Sequence, residues 1–150
     1  MSVYSFQDIV AAIVGIGGNI NMAAGAQVAE EGISIEATGD KNSMTIGADG
    51  SGMHSLSADE SSSVTVRLLK TSPVNAQLML MYNLQTRSAV THGKNVITLR
   101  DAARGDFIVL TNVAFKKRPA MTYAKEGGLV EWTFDAIRTA QILGVGTPEA

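Results

Sequence analysis

Apolar and polar residues alternate along several stretches of this chain. In SSSVTVRLLK (61–70), Val64, Val66 and Leu68 fall on one side and Thr65, Arg67 and Leu69 on the other. That is the period of a half-buried strand. LVEWTFDAIRTAQIL (129–143) repeats the pattern over a longer span, setting Val130, Trp132, Phe134 and Ala136 against Glu131, Thr133 and Asp135. Such alternation predicts an antiparallel sheet with one dry and one wet face, and puts Trp132 in the core. GDFIVLTNVAFKK (105–117) is apolar at both parities from Phe107 to Leu110, which predicts a strand buried on both faces. Shorter strands are expected in SVYSF (2–6), GNINM (18–22), GISIEA (32–37), SMTIG (43–47) and NVITLRD (95–101), each bounded by Gly, Asn or Asp. IVAAIVGIGGNI (9–20) reads as a buried strand and a glycine turn. It is too short to span a bilayer and lacks the basic region that opens a signal peptide.

One segment changes period. In TSPVNAQLMLMYNLQTRS (71–88), Val74, Leu78, Met81 and Tyr82 recur at helical spacing, flanked by Leu80 and Leu84. Ser72 suits the N-cap, and Pro73 suits the first helical position, where its missing N–H costs nothing. Arg87 would fall in the last turn, where a cation complements the helix dipole. A helix over about residues 73–87 follows, roughly four turns long. The expected architecture is mainly β: an antiparallel β-sandwich or partly open β-barrel with this one α-helix on its flank. Residues 1–150 read as a single domain, with about 144–150 (GVGTPEA after Leu143) as a mobile tail.

The chain of 150 residues is long enough to bury roughly 68–70% of its unfolded surface. It has no cysteine, which excludes a disulfide framework or a thiolate metal site and suits a reducing compartment. A net charge of −2 gives no general attraction to nucleic acid or anionic membrane. Charged residues make up 17%, against roughly 25% for average domains, which suits a surface partly covered by copies of itself.

Candidate chemistry concentrates in DKNSMTIGADGSGMHS (40–55), which holds Asp, Asn, Ser, Gly and one of two histidines. An active-site reading would use His54 as base, Asp49 as its partner and Ser51 or Ser55 as nucleophile. No G-x-S-x-G elbow accompanies them. His54 and His92 are too few for a histidine-based zinc site, and both sit in Gly-containing contexts that favour solvated positions. ADGSG lacks the alternating carboxylates of a calcium loop, and Asp49-Gly50 reads as a tight hairpin turn. GIGGN has neither dinucleotide-loop spacing nor a Walker lysine. No cofactor is expected. FKKRP (115–119) is a basic strand end and AEEG (29–32) an acidic corner. On one small domain they could serve as the two unlike patches of a heterologous contact that closes a ring.

The segments RLLKTSPVNAQL, AEEGISIE, DKNSMTIGADGSGMHSL, ARGD and TYAKEGGLVEWTF resemble the tail tube protein of contractile-tailed bacteriophages, over about Tyr4 to Leu143. The type VI secretion tube protein is similar in fold. The resemblance implies a structural subunit and no enzyme. It implies hexameric rings of β-sandwich subunits with a flanking helix, stacked into a hollow tube inside a contractile sheath, with DNA passing through. The implied partners are further copies of the chain, the sheath protein, and the baseplate or initiator and terminator proteins. The tape measure protein and DNA would occupy the bore without sequence-specific binding. The location would be the virion tail, assembled in the host cytoplasm.

Within that frame the 40–55 stretch reads as an extended hairpin that projects from the sandwich and docks on the next ring. The residues expected to carry it are Asp40, Lys41, Asn42, Ala48, Asp49, Gly50, Ser51, Gly52, Met53 and His54. Charge pairing between subunits would use Glu30 and Glu31 against Lys116, Lys117 and Arg118. The wet face with Glu131, Thr133 and Asp135 is one candidate for the bore wall, and that with Thr65 and Arg67 another. Three alternatives are a tube subunit of a phage-derived injection or secretion machine, a small Ser/His/Asp hydrolase, and a monomeric capsid-decorating module.

Overall fold

The structure, a computed structural model, describes residues 4–23 and 28–144, and for residues 28–31 the backbone alone. A 3-10 turn (Phe6–Asp8) leads into β1 (Ile9–Gly15), β2 (Gly18–Asn21) and β3 (Val28–Ala37). The hairpin β4 (Asn42–Ile46) and β5 (Gly52–Leu56) follows, then β6 (Ser62–Leu69) and α1 (Val74–Gln85). The chain closes with β7 (Asn95–Asp101), β8 (Asp106–Lys117) and β9 (Leu129–Ile142). Seven strands form one antiparallel sheet in the order β2-β1-β7-β8-β9-β6-β3, and β4-β5 stands apart as a two-stranded sheet.

The alternating segments bury the predicted faces. Val64, Val66 and Leu68 of β6 lie opposite Phe134, Trp132 and Val130 of β9, and all six are buried. The sheet curls until its far ends share this core. Ile13 of β1 and Ile20 of β2 join Val66 and Leu68, and Ile33 of edge strand β3 packs against Ile9 and Ala11. No closed barrel forms among the described residues, so the arrangement is a sandwich of one strongly curled sheet with one helix.

Strand β8 departs from the expected double burial. Ile108 and Leu110 are buried, but Phe107 is 42% exposed. The strand has one buried face, and that face changes parity along it: Leu110 and Val113 are both fully buried although three residues apart. Asn112, at φ 53°, makes the switch, in the left-handed region that Asn tolerates better than most residues. The register between β7 and β8 shifts at the same point, as in a β-bulge. SVYSF also departs: its described part, residues 4–6, leads into the 3-10 turn, where the Ser5 hydroxyl accepts the Gln7 N–H.

Helix α1 is a turn shorter than its periodicity suggests, ending at Gln85, so Arg87 lies beyond it. It also starts one residue later than expected, with Pro73 rather than Ser72 at the N-cap position, although the Ser72 hydroxyl still accepts the Val74 N–H at 3.3 Å. Val74, Leu78 and Met81 are buried, and the Tyr82 ring meets Phe115 edge-on at 5.6 Å. The helix stops where a polar anchor replaces the apolar stripe. Gln85 and Asn95, both buried, exchange reciprocal side-chain hydrogen bonds of 2.7 and 2.6 Å, and Gln85 also donates to the Ile16 carbonyl. A Cβ at Gly15 would collide with the Asn95 amide, so only glycine lets β1 approach this pair. Replacing Gln85 by Leu would strand a buried amide and a carbonyl, and should cost about 1–3 kcal/mol in chemical denaturation. A change below a few tenths of that would mean water replaces the glutamine.

Candidate assembly surfaces

The hairpin β4-β5 is an arm carried on the β3-β6 ribbon. Thr38 N–H donates to the Ser61 carbonyl, extending that ladder by one step, and Ser57 N–H donates to the Lys41 carbonyl to start the arm. The Lys41 ammonium, 2.8 Å from the Ser57 carbonyl, clamps the base. The tip is a turn in which Gly47 N–H bonds the Ser51 carbonyl at 2.7 Å. Gly50, at φ 89°, takes the conformation an L side chain resists. Every residue of both arm strands is exposed, and none belongs to either core cluster. An isolated two-stranded hairpin is marginal in water, and this one is steadied at its base by the β3-β6 ladder and the Lys41 clamp.

The arm has two unlike faces. Register sets Met44 opposite His54 and Asn42 opposite Leu56, so Met44, Ile46 and Leu56 share one face, each more than half exposed. Ser43, Thr45 and Ser55 lie on the other face with Met53. Loop content alone hides this apolar face. The alternation in SMTIG was the signal for it.

The hydrolase ingredients are dispersed by the fold. The Ser51 hydroxyl donates to Asp49 at 2.6 Å, and the Ser51 N–H to the same oxygen at 3.0 Å. These bonds hold the Asp49 carboxyl below its ordinary pKa. No imidazole stands between serine and carboxylate, because His54 Nδ1 sits 3.1 Å from the Asn42 amide on the arm. His92 lies exposed in the turn before β7. Among the described residues no group of His, Cys, Asp and Glu could hold a metal ion. No helix there is long and apolar enough to cross a membrane.

The predicted wet face exists and is ordered in rows. Thr133 lies beside Thr65, which lies beside Ser34; Asp135 lies beside Ser63, which lies beside Glu36. Arg67 faces Glu131 with 3.7 Å between charged atoms, and also donates to the Ser34 hydroxyl. The two bore-wall candidates, Thr65 with Arg67 and Glu131 with Thr133 and Asp135, are therefore neighbouring parts of one surface.

The family described as bacteriophage PhiTE tail tube protein matches residues 1–144, nearly the whole of this strand-rich chain. The chain belongs to that family. Members of contractile injection machines share the fold at low identity. A chain of the sheath/tube terminator of the extracellular contractile injection system PVC has a TM-score of 0.61 at 14% identity, over 95% of this chain and 98% of that one. A chain of the PVC sheath-tube complex scores 0.56 at 13% identity, over 94% and 91%. A chain of the anti-feeding prophage baseplate, solved with six-fold symmetry, scores 0.51 at 10% identity, over 95% and 96%. No curated protein matches the sequence.

In this tail tube protein the two charge patches lie at one end of the curled sheet. Lys116, Lys117 and Arg118 are exposed at the end of central strand β8, with Lys117 paired to Thr133 across a bulge. Glu30 and Glu31 lie on edge strand β3, three strands away, or roughly 14 Å along the sheet. Their side chains fall outside the described residues, as does most of the 144–150 tail. Gly144, its first residue, bonds the Asp106 carboxylate through its N–H at 2.8 Å.

Proposed function

We propose that copies of this chain join into hexameric rings, and that the rings stack into a hollow tube inside a contractile sheath that conducts DNA into the host. The arm is the observation that carries this reading: a folded hairpin with an uncovered apolar face, on a chain of the tail tube family. The two edge strands, β2 and β3, beyond which no further described strand pairs, support it. Such edges invite association, and pairing them between neighbours around a ring turns the liability into a joint. Asp40 to Asn42 and Ala48 to His54 form the arm that docks on the next ring. Glu131, Thr133 and Asp135 face the bore, where the carboxylates of Glu36, Glu131 and Asp135 stand against two cations, Arg67 and, beside Thr133, Lys117. A wall poor in cations lets a polyanion slide, since each phosphate contact with Lys or Arg adds affinity.

The partners are those the machine requires: sheath, baseplate or initiator, terminator, and tape measure protein in the bore. The six-fold baseplate chain and the sheath-tube chain of similar fold support this set. Those same neighbours favour one second reading, a tube subunit of a phage-derived injection machine, which the genes flanking this one would distinguish. No catalysis belongs to either reading.

Ring closure is tested through charge. Reversing Glu30 and Glu31 to Lys should lower the hexamer population several-fold in native mass spectrometry. Reversing Lys116 and Lys117 to Glu in the same chain should restore part of it. An unchanged population in the first variant would remove these residues from the interface.

A further inference from the structure

The outer surface of the curled sheet is divided. Over β3, β6 and the first half of β9 it carries the hydroxyl and carboxylate rows of the wet face. Over β1, β7, the first half of β8 and the last part of β9 it is mainly apolar, with Thr98 and Arg100 the polar positions on β7. Ladder pairing runs Val10 to Arg100 to Phe107 to Ile142 in one row. The next row runs Ala12 to Thr98 to Val109 to Ala140, and Val14 lies beside Val96 in the third. Val10 is 50% exposed, Phe107 42% and Ile142 67%, and the helix packs on the opposite face. A continuous uncovered apolar sheet face marks an interaction surface.

We propose that this apolar half-sheet is the receptor for the arm of another copy. The inference rests on the tube reading and names where the arm goes. Met44, Ile46 and Leu56 stand exposed on the arm face they share with Asn42 and His54, and no described residue covers them. The dimensions agree: the arm's five-residue strands are about 17 Å long, and four neighbouring strands span about 14 Å between outer axes. The charges agree too. Arg100 lies in the receptor rows and Arg138 at their margin, with no carboxylate among those row positions, while the arm carries an ionised Asp49 at its tip, Asp40 and Lys41 offsetting each other at its base. The contact joins two different patches, so each copy can give an arm and receive one, and assembly propagates.

The chain has no cysteine, so engineered pairs report cleanly. Full-length protein carrying Ile46→Cys and Phe107→Cys should polymerise and, once oxidised, give a ladder of cross-linked oligomers on a non-reducing gel. Pairing Ile46→Cys with Leu80→Cys on the helix, or with Thr133→Cys on the polar half, should give none. If rods form but the ladder appears with Leu80 or Thr133, or with no position, the receptor is wrong and the tube reading survives. If the unmodified protein forms no rods, the tube reading fails and takes the receptor with it. Should the cysteine at 46 block assembly, Phe107→Glu decides: a folded subunit that forms no rods is expected, and rods of normal length would overturn the docking.

Discussion

Deleting Ala48 to Gly52 should leave a folded subunit that makes no rods. The deletion removes the arm's tip and touches no core residue, since neither core cluster includes any position between 36 and 61. Thr45 and Met53 already face each other, and after the deletion Ile46 and Gly47 would join them as a two-residue hairpin turn. Thermal melting should therefore match the parent within about 2 °C, because a 1 kcal/mol loss moves a domain of this size by about 2–4 °C. Assembly should fall to background. The arm would lose Asp49 with its Ser51 clamp, and the strand pairing that presents Ile46. Rods of normal length from the deleted protein would show that the tip takes no part in stacking.

Trp132→Ala should be the most damaging substitution in the core. The indole is 1% exposed, lies 5.9 Å from the Phe115 ring, and donates its N–H to the Asn75 side chain at 3.0 Å. Asn75 in turn bonds the Leu69 carbonyl, so one aromatic residue ties β9 to the first turn of α1 and the end of β6. Removing a buried tryptophan costs about 3–5 kcal/mol, with the unmade bond to Asn75 adding to it. Against a total stability of about 5–15 kcal/mol, soluble yield should drop, and the melting midpoint should fall by on the order of 10 °C. A midpoint lowered by less than about 3 °C would mean that Phe115 and Phe134 close over the gap.

Much of the sandwich could be read from periodicity. β6 and β9 bury the predicted faces because alternation is the direct imprint of a sheet with one wet side, and β7 spans the residues of NVITLRD. The double burial expected of β8 failed for a reason now visible. Phe107 and Val109 point away from the core, where Phe107 stays 42% exposed among the described residues, and hydropathy alone does not separate a buried apolar position from an exposed one. The same holds for Val10 and Val14 in β1. The bulge at Asn112 left no signal, since one asparagine inside an apolar run carries no register information. Gln85 hid the end of α1, because its partner Asn95 is a neighbour only after folding. At the hairpin, turn chemistry and the short apolar stretch SMTIG revealed the strands, but only the register shows that Met44, Ile46 and Leu56 share one face.

The most direct measurement is sedimentation velocity on the purified full chain at rising concentration, with and without a tail initiator, followed by electron microscopy of the fast fraction. The predicted result is growth from the 15.8 kDa subunit into rapidly sedimenting hollow rods that elongate from the initiator. A single slow species at every concentration, adding no length to the initiator, would contradict the account.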